Sequence, residues 1–298
     1  MSPKEHGWTT ASALGWTEWV PLHDAVRGGG VPAEPGLYRI RRTSIPHLDY
    51  IGQTGSGTMT LRKRMAMLRG VYNDEMPYRD PHTAGPALWA LRHLGHEFEA
   101  SFAVVVGGTP WRKGLECVVL ADHRQQHGCS PTVNFGRMPS GYRMSSANNQ
   151  KIVDAGRRFR GGPVPELELS HAPGIPPTGL LGMPSTDSEW CGLRWSGWEA
   201  AEKLPSSLGS GLYRLWGGGQ PGLAYVGEGG ISSRVRAHLA KVRSPGHEQG
   251  QVLASLVPLQ VSWVEGGWVS HQRLELENDL IASHVLVEGR APAAQFIG

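Results

Sequence analysis

Two tyrosines, an arginine and a glutamate recur in each half of this 298-residue chain. Tyr38 and Tyr50 stand in short β-prone runs, and Tyr213 and Tyr225 stand in matching runs 175 positions later. A helix-like run carries Arg62, Lys63 and Arg64 in the first half, and another carries Arg234 and Arg236 in the second. Glu116 and Glu277 lie on later helix-like runs, 161 positions apart. Each residue type has a defined chemical capacity. Arginine offers a planar fork that stays charged and matches phosphate geometry. One carboxylate is enough to hold Mg²⁺, which keeps several of its waters. A phenol beside a cation can titrate below its ordinary value of ~10 and act as base or hydrogen-bond relay. Taken singly, a strand tyrosine is ordinarily a half-buried packing residue and a helical arginine or glutamate a solvated one. Repetition at fixed spacing favours the functional reading.

The elements that must position these residues follow from the repeat. Gly36-Leu37-Tyr38-Arg39-Ile40 falls on Gly211-Leu212-Tyr213-Arg214-Leu215, and Tyr50-Ile51-Gly52 falls on Tyr225-Val226-Gly227 without a gap. At the second offset Ser101-Phe102 falls on Ser262-Trp263, His123 on His284, Gly128 on Gly289, Pro131 on Pro292 and Phe135 on Phe296. The offsets differ by 14, so the first copy carries extra residues between Gln53 and Glu97. Identity at so many fixed positions is the mark of a duplication. A Trp-rich stretch precedes each block, at 19–32 and 195–205. Runs 37–41 and 48–51 predict a hairpin, 61–69 a helix, 98–106 a strand and 111–127 a helix. The second copy predicts a hairpin turning at 217–222, a helix over 231–242, a strand over 259–264 and a helix over 269–288. Gly128 and Gly289 sit where a helix-ending glycine belongs. The expected fold class is α/β of the α+β kind. Each half is a short, mainly antiparallel sheet in ββαβα order flanked by helices. Expected domains are 1–160, ending in a basic arm, and 188–298, joined by a Gly/Pro/Ser-rich linker at 161–187.

This pattern resembles the GIY-YIG nuclease superfamily. That family has G-I/L-Y on a first strand, Y-I/V-G on a second, an Arg on the next helix, a Glu on a later helix and an Asn closing the core. The resemblance covers about residues 36–135 and 211–296. It implies catalytic roles for Tyr38, Tyr50, Arg64, Glu116 and Asn134 in the first copy. In the second it implies them for Tyr213, Tyr225, Arg234, His238 and Glu277. Arg62 and Arg236 compete with Arg64 and Arg234. By the resemblance Tyr38 and Tyr213 activate water, Tyr50 and Tyr225 orient the phosphate, and Glu116 and Glu277 hold Mg²⁺ or Mn²⁺. Phosphodiester cleavage needs these parts: a positioned water, a base, a counter-charge for phosphorus and a stabilised leaving group. The copies also depart from one another. Leu68 stands where the second copy has His238, and Gln295 stands where the first has Asn134.

The implied function is a magnesium-dependent DNA endonuclease, a tandem pseudo-dimer of restriction or defence type. It would act as a monomer with an internal pseudo-two-fold axis or as a homodimer. The alternatives are a DNA-binding protein with one or both modules silent, and a structure-specific repair nuclease. If one copy is silent, the expected one is the second, which ends just past Gln295.

A net charge of +3 does not announce nucleic acid, so any basic surface must be local. Beyond Asn134 a run holds Arg137, Arg143, Lys151, Arg157, Arg158 and Arg160 against one acid, Asp154, with Tyr142 and Phe159 between them. It reads either as a phosphate-contacting arm or as a solvated connection. Arg62, Lys63 and Arg236 are further candidate DNA contacts. Three cysteines with no CxxC pair exclude a zinc knuckle and a disulfide framework. No run of about 18 apolar residues and no apolar leader is present, so no membrane is expected and the expected location is cytoplasmic. His123 and His284 are expected to be structural, and His93 and His96 to lie at the surface.

Overall fold

A computed structural model of the chain describes residues 14–55, 57–79, 82–144, 172–219, 221–244 and 246–297. The chain divides into two compact units. Among the described residues, one comprises those within 14–108, 130–144 and 172–173; the other comprises those within 109–129 and 174–297.

In the first of these, strands β1 (Val20–Pro21), β2 (Gly36–Arg42), β3 (Leu48–Gln53) and β4 (Phe98–Val104) form an antiparallel sheet in the order β1-β4-β2-β3. The tight hairpin β2–β3 pairs Tyr38 with Gly52, and β4 places Phe102 on the other side of Tyr38. Residues two apart on a strand share a face. Tyr38 and Ile40 thus enter one core together with Leu61, Met65, Leu88 and Phe102. Helices α1 (Leu22–Ala25), α2 (Leu61–Ala66) and α3 (Gly85–His93) surround that core. Thr60 starts α2 by accepting the Lys63 N–H at 3.3 Å. Helix α3 has no counterpart among the expected elements. Every residue from Gly85 to Leu91 is buried, so the helix has no polar face and no amphipathic period to read.

In the other unit, β5 (Glu199–Ala200), β6 (Ser210–Gly217), β7 (Tyr225–Gly230) and β8 (Leu259–Glu265) form an antiparallel sheet in the order β5-β8-β6-β7. The expected order of strands and helices is thus present in both sheets. Helices α5 (Ile231–Val242) and α6 (Glu248–Ala254) cover one face, where Tyr213, Leu215, Ile231, Val235 and Leu253 pack. Against the other face, Leu212 and Val226 meet α7 (Ser270–Glu288) through Leu276, Leu280 and Val285.

Helix α4 (Thr109–His127) joins this second core through Cys117, Val118 and Ala121. The expected boundary at 160 is therefore corrected: α4, which belongs to the first copy by sequence, packs on α7. A buried charge must be paired. Arg124, fully buried on α4, bonds Asp279 at 2.9 Å and lies 3.6 Å from Glu275. The Asn278 amide also donates to the Cys117 carbonyl at 3.2 Å. The expected linker is corrected over its last part as well. Ile175 N–H donates to Glu275 at 2.7 Å, Thr178 Oγ1 donates to the Cys191 carbonyl at 2.6 Å, and Arg214 donates to the Asp187 carbonyl at 2.9 Å. These bonds make 174–187 part of the packed unit, while 161–171 lie outside the described residues.

The duplication extends into backbone and packing. Gly128 and Gly289 both end their helices at φ 70°, and Phe135 and Phe296 take left-handed φ values of 61° and 63°. The Trp-rich stretches prove to be a third repeated block. Trp16 and Trp19 flank the Arg39 guanidinium at 4.5 and 4.7 Å; Trp195 and Trp198 flank Arg214 at 4.4 and 4.7 Å. Between each tryptophan pair a carbonyl accepts from a strand serine, Ser101 to Thr17 at 2.8 Å and Ser262 to Ser196 at 2.9 Å. Among the described residues no helix is long and apolar enough to cross a membrane.

Candidate active site

The second copy brings five of the sequence-predicted residues into one electrostatic cluster. Strand pairing sets Tyr213 opposite Gly227. A Cβ on Gly227 would collide with the Tyr213 hydroxyl and the Tyr225 ring, and a Cβ on Gly52 would meet Tyr38 and Tyr50 in the same way. The glycine of each Tyr-x-Gly thus makes room for the two phenols. Helix α5 then presents Arg234 and His238, four residues apart and so on one stripe. His238 Nε2 lies 2.9 Å from the Tyr213 hydroxyl, and its ring centroid is 4.4 Å from that of Tyr225. Arg234 acts electrostatically on both phenols. Glu277, half-buried on α7, acts electrostatically on both tyrosines, and Glu228 of β7 acts on Tyr225 and Glu277.

Burial dominates the charges here. It pushes the Tyr213 hydroxyl well above its ordinary value and Tyr225 up to about 12, with Glu277 adding to the second and Arg234 opposing. The expectation that a cation would pull these phenols down is therefore corrected: desolvation outweighs Arg234. Burial, with Lys241 and Arg234 beside it, lowers His238 to about 4, so the imidazole is neutral in neutral solution. Its Nδ1 is buried with no partner at hydrogen-bond distance among the described residues, while the Gln249 side chain acts to favour a ring proton. Burial and then Glu228 push Glu277 up to about 8 against the pull of Arg234.

Glu277 and Glu228 are hard oxygen donors, and Glu228 is also paired with Arg273 at 2.8 Å. A carboxyl held protonated by burial and by a second carboxylate is one that a divalent cation would ionise. Among the described residues no group of three or more His, Cys, Asp or Glu gathers as a metal cage. The donor set fits a cation that keeps most of its waters, Mg²⁺ or Mn²⁺, better than tetrahedral zinc.

In the first copy the tyrosines meet a different histidine. Tyr38 and Tyr50 stand 5.9 Å apart between ring centroids, and His82 Nε2 lies 2.7 Å from the Tyr38 hydroxyl. The Ala84 N–H donates to His82 Nδ1 at 3.2 Å. Burial, with Arg64 nearby, holds His82 well below its ordinary value, so the ring is neutral and its proton sits on Nε2. His82 therefore donates to Tyr38. The repeat offset puts Leu68 opposite His238 and misses this residue. His82 belongs to the extra stretch and arrives through a loop, so no fixed spacing finds it. Leu68 is fully buried in the first core.

The other candidates separate clearly. Arg62 donates to the Val31 carbonyl at 3.0 Å, and Arg236 to the Ser232 and Ser206 carbonyls at 3.2 and 3.4 Å. Arg64 and Arg234 are the ones beside the site histidines. Exposed Lys63 donates to the Thr58 carbonyl at 3.1 Å. Asn134 accepts from Ile51 N–H and donates to the Ile51 carbonyl, both at 2.9 Å. Gln295 accepts from Val226 N–H at 3.1 Å. Both amides clamp the strand residue beside the second tyrosine, so they position it and the Asn/Gln exchange keeps the bond. Glu116 is half-buried on α4, in the other compact unit from Tyr38, Tyr50 and Arg64.

Of the basic arm, Arg137 is half-buried and Arg143 exposed; Lys151, Arg157, Arg158 and Arg160 lie outside the described residues. His284 is structural. Its Nε2 accepts from Leu223 N–H at 2.8 Å, its Nδ1 meets the Arg290 carbonyl at 2.9 Å, and burial lowers it to about 4. Exposed His93 stacks on Trp89 and bonds the Tyr142 hydroxyl at 2.7 Å. Comparisons of the chain with family models, with curated proteins and with solved structures find no match.

Proposed function

We propose that this chain is a metal-dependent DNA endonuclease of the GIY-YIG kind, with its fuller site in the second copy. The observation that carries the reading is the convergence of Tyr213, Tyr225, Arg234, His238 and Glu277 from separate strands and helices. In this reading the Tyr213 phenol, too basic to ionise by itself, works as a relay. A water gives a proton to the Tyr213 oxygen as the Tyr213 proton passes to neutral His238 Nε2. The water oxygen attacks phosphorus, and the phosphodiester P–O bond to the leaving strand breaks. Arg234 meets the growing phosphate charge and Tyr225 orients the phosphate. Glu277, with Glu228 beside it, would hold Mg²⁺ or Mn²⁺, which supplies Lewis-acid stabilisation of phosphate and leaving oxygen.

Supercoiled plasmid with Mg²⁺ tests this with the wild-type chain, Glu116→Ala, Glu277→Ala and the double variant. The wild type is expected to give linear product, each single variant nicked circles, and the double variant intact plasmid. Absence of cleavage by the wild type on any DNA, modified and branched forms included, overturns the nuclease reading in favour of a DNA-binding protein. A single variant indistinguishable from wild type removes that copy from catalysis. Preference for branched over linear DNA would assign the chain to repair instead of restriction.

A further inference from the structure

Beside the second-copy tyrosines lies a pocket of about 330 Å³. Arg234, His238 and Lys241 stand at i, i+4 and i+7 of α5, one stripe of the helix, and all three line it. Ala237 on the same wall is small and leaves the space open. Lys241 is held in place: its ammonium donates to Gln249 Oε1 at 2.8 Å, and the buried Gln249 amide donates to the Ala294 carbonyl at 3.0 Å. An ammonium has three donors, and one such bond leaves two for a ligand. His247 lines the pocket too, and its Nδ1 accepts the Gly250 N–H at 3.4 Å, which leaves Nε2 as the ring's donor. The site carboxylates Glu228 and Glu277 are not among the lining residues.

We infer that this pocket is a phosphate subsite, in which Lys241 and Arg234 supply the charge and His247 a further hydrogen bond. A pocket walled by fixed donors and lined, among the described residues, by no carboxylate side chain selects an anion. Its ligand is a phosphate of a nucleic acid strand, next to the one under attack, and Lys241 is a positioning residue for that strand. The inference rests on the phosphodiester reading of the tyrosine cluster. At the helix offset of 170 the first copy has Val71 in place of Lys241, fully buried in its core, so the subsite belongs to the second copy alone.

The test is fluorescence anisotropy of a labelled 12-nucleotide single strand with the full-length chain, in EDTA so that cleavage plays no part. Lys241→Met should weaken binding about tenfold and reduce the log–log salt slope by about 0.7, the share of one phosphate contact on a single strand. Lys241→Arg should restore most of the affinity. Lys203→Met, at an exposed lysine outside the pocket, should stay within about twofold of wild type. Circular dichroism melting checks that each variant is folded. Wild-type affinity in folded Lys241→Met, or an equal loss in Lys203→Met, overturns the inference. Inorganic phosphate separates the sources. Phosphate binding at millimolar concentration, read directly by calorimetry and abolished by Lys241→Met, in a wild type that binds no strand, would mean a free-phosphate site and overturn the strand assignment. If no plasmid is cut but strand binding still depends on Lys241, the nuclease reading fails and the subsite stands.

Discussion

In the second copy the helix after the hairpin turns Arg234, His238 and Lys241 toward the tyrosines; in the first, the same three positions hold Arg64, Leu68 and Val71. Leu68 and Val71 sit in the core, and the histidine that meets Tyr38 comes from a loop instead. The bond from imidazole to phenol is present in both copies, 2.7 Å in one and 2.9 Å in the other. What differs is what holds the far side of each ring. His82 has its Nδ1 occupied by Ala84 and gives its proton to Tyr38. His238, with Gln249 favouring a proton on the ring, is the one we propose accepts from Tyr213. Glu228 adds a carboxylate to the second site where the first has Gln53 at the same offset. A site needs a group at a point in space, and any element that reaches the point can supply it. The proton it carries depends on what holds its other side.

The largest expected effect separates relay from anchor. In a Glu116→Ala background, Tyr213→Phe should slow nicking about a thousandfold, roughly 4 kcal/mol of barrier. In a Glu277→Ala background, Tyr38→Phe should cost about tenfold. Equal losses in the two rate measurements would erase the distinction between the histidines.

Acid stability gives the next effect. His284 titrates at about 4 when folded against 6.5 when free. Below 6.5 the unfolded chain takes up a proton that the folded one refuses, so stability falls as pH drops from about 6.5 to about 4. For a fully buried ring the loss is about 3 kcal/mol across that window. Urea denaturation at pH 7 and pH 5 should show a smaller pH dependence in His284→Gln. An unchanged slope would mean His284 plays no part in the acid sensitivity of the second copy.

The smallest effect compares the two clamps. Asn134→Leu leaves both the N–H and the carbonyl of Ile51 unmet and should cost about 2 to 3 kcal/mol. Gln295→Leu leaves only the Val226 N–H and should cost about 1 to 2 kcal/mol. Urea midpoints order the two, and a larger loss at Gln295 would reverse the ranking.

Much of this is legible in the order of residues. The predicted helix over 231–242 matches α5, and the hairpins, third strands and long helices agree to within two residues at nearly every end. Spacing leaves Arg64 and Arg234 in competition with their neighbours, a choice that the carbonyl bonds of Arg62 and Arg236 decide. Helix α3 escapes because burial of every residue from Gly85 to Leu91 leaves no period to read over those turns, and α6 because it is short and follows a loop. The pairs of tryptophan that flank Arg39 and Arg214 are visible in the sequence only as composition.

By itself the sequence determined the duplication, the strand tyrosines, the glycines that make room for them and the helix ends. These depend on local spacing and backbone sterics, which a chain carries in its order of residues. Tertiary structure alone decided that His82 replaces the missing helical histidine, that Glu228 and Lys241 join the second site, and that α4 packs on α7 around the buried Arg124. Those outcomes depend on loops, burial and long-range pairing. Spacing along the chain does not encode which distant groups will share a desolvated space, nor which of them will hold the proton.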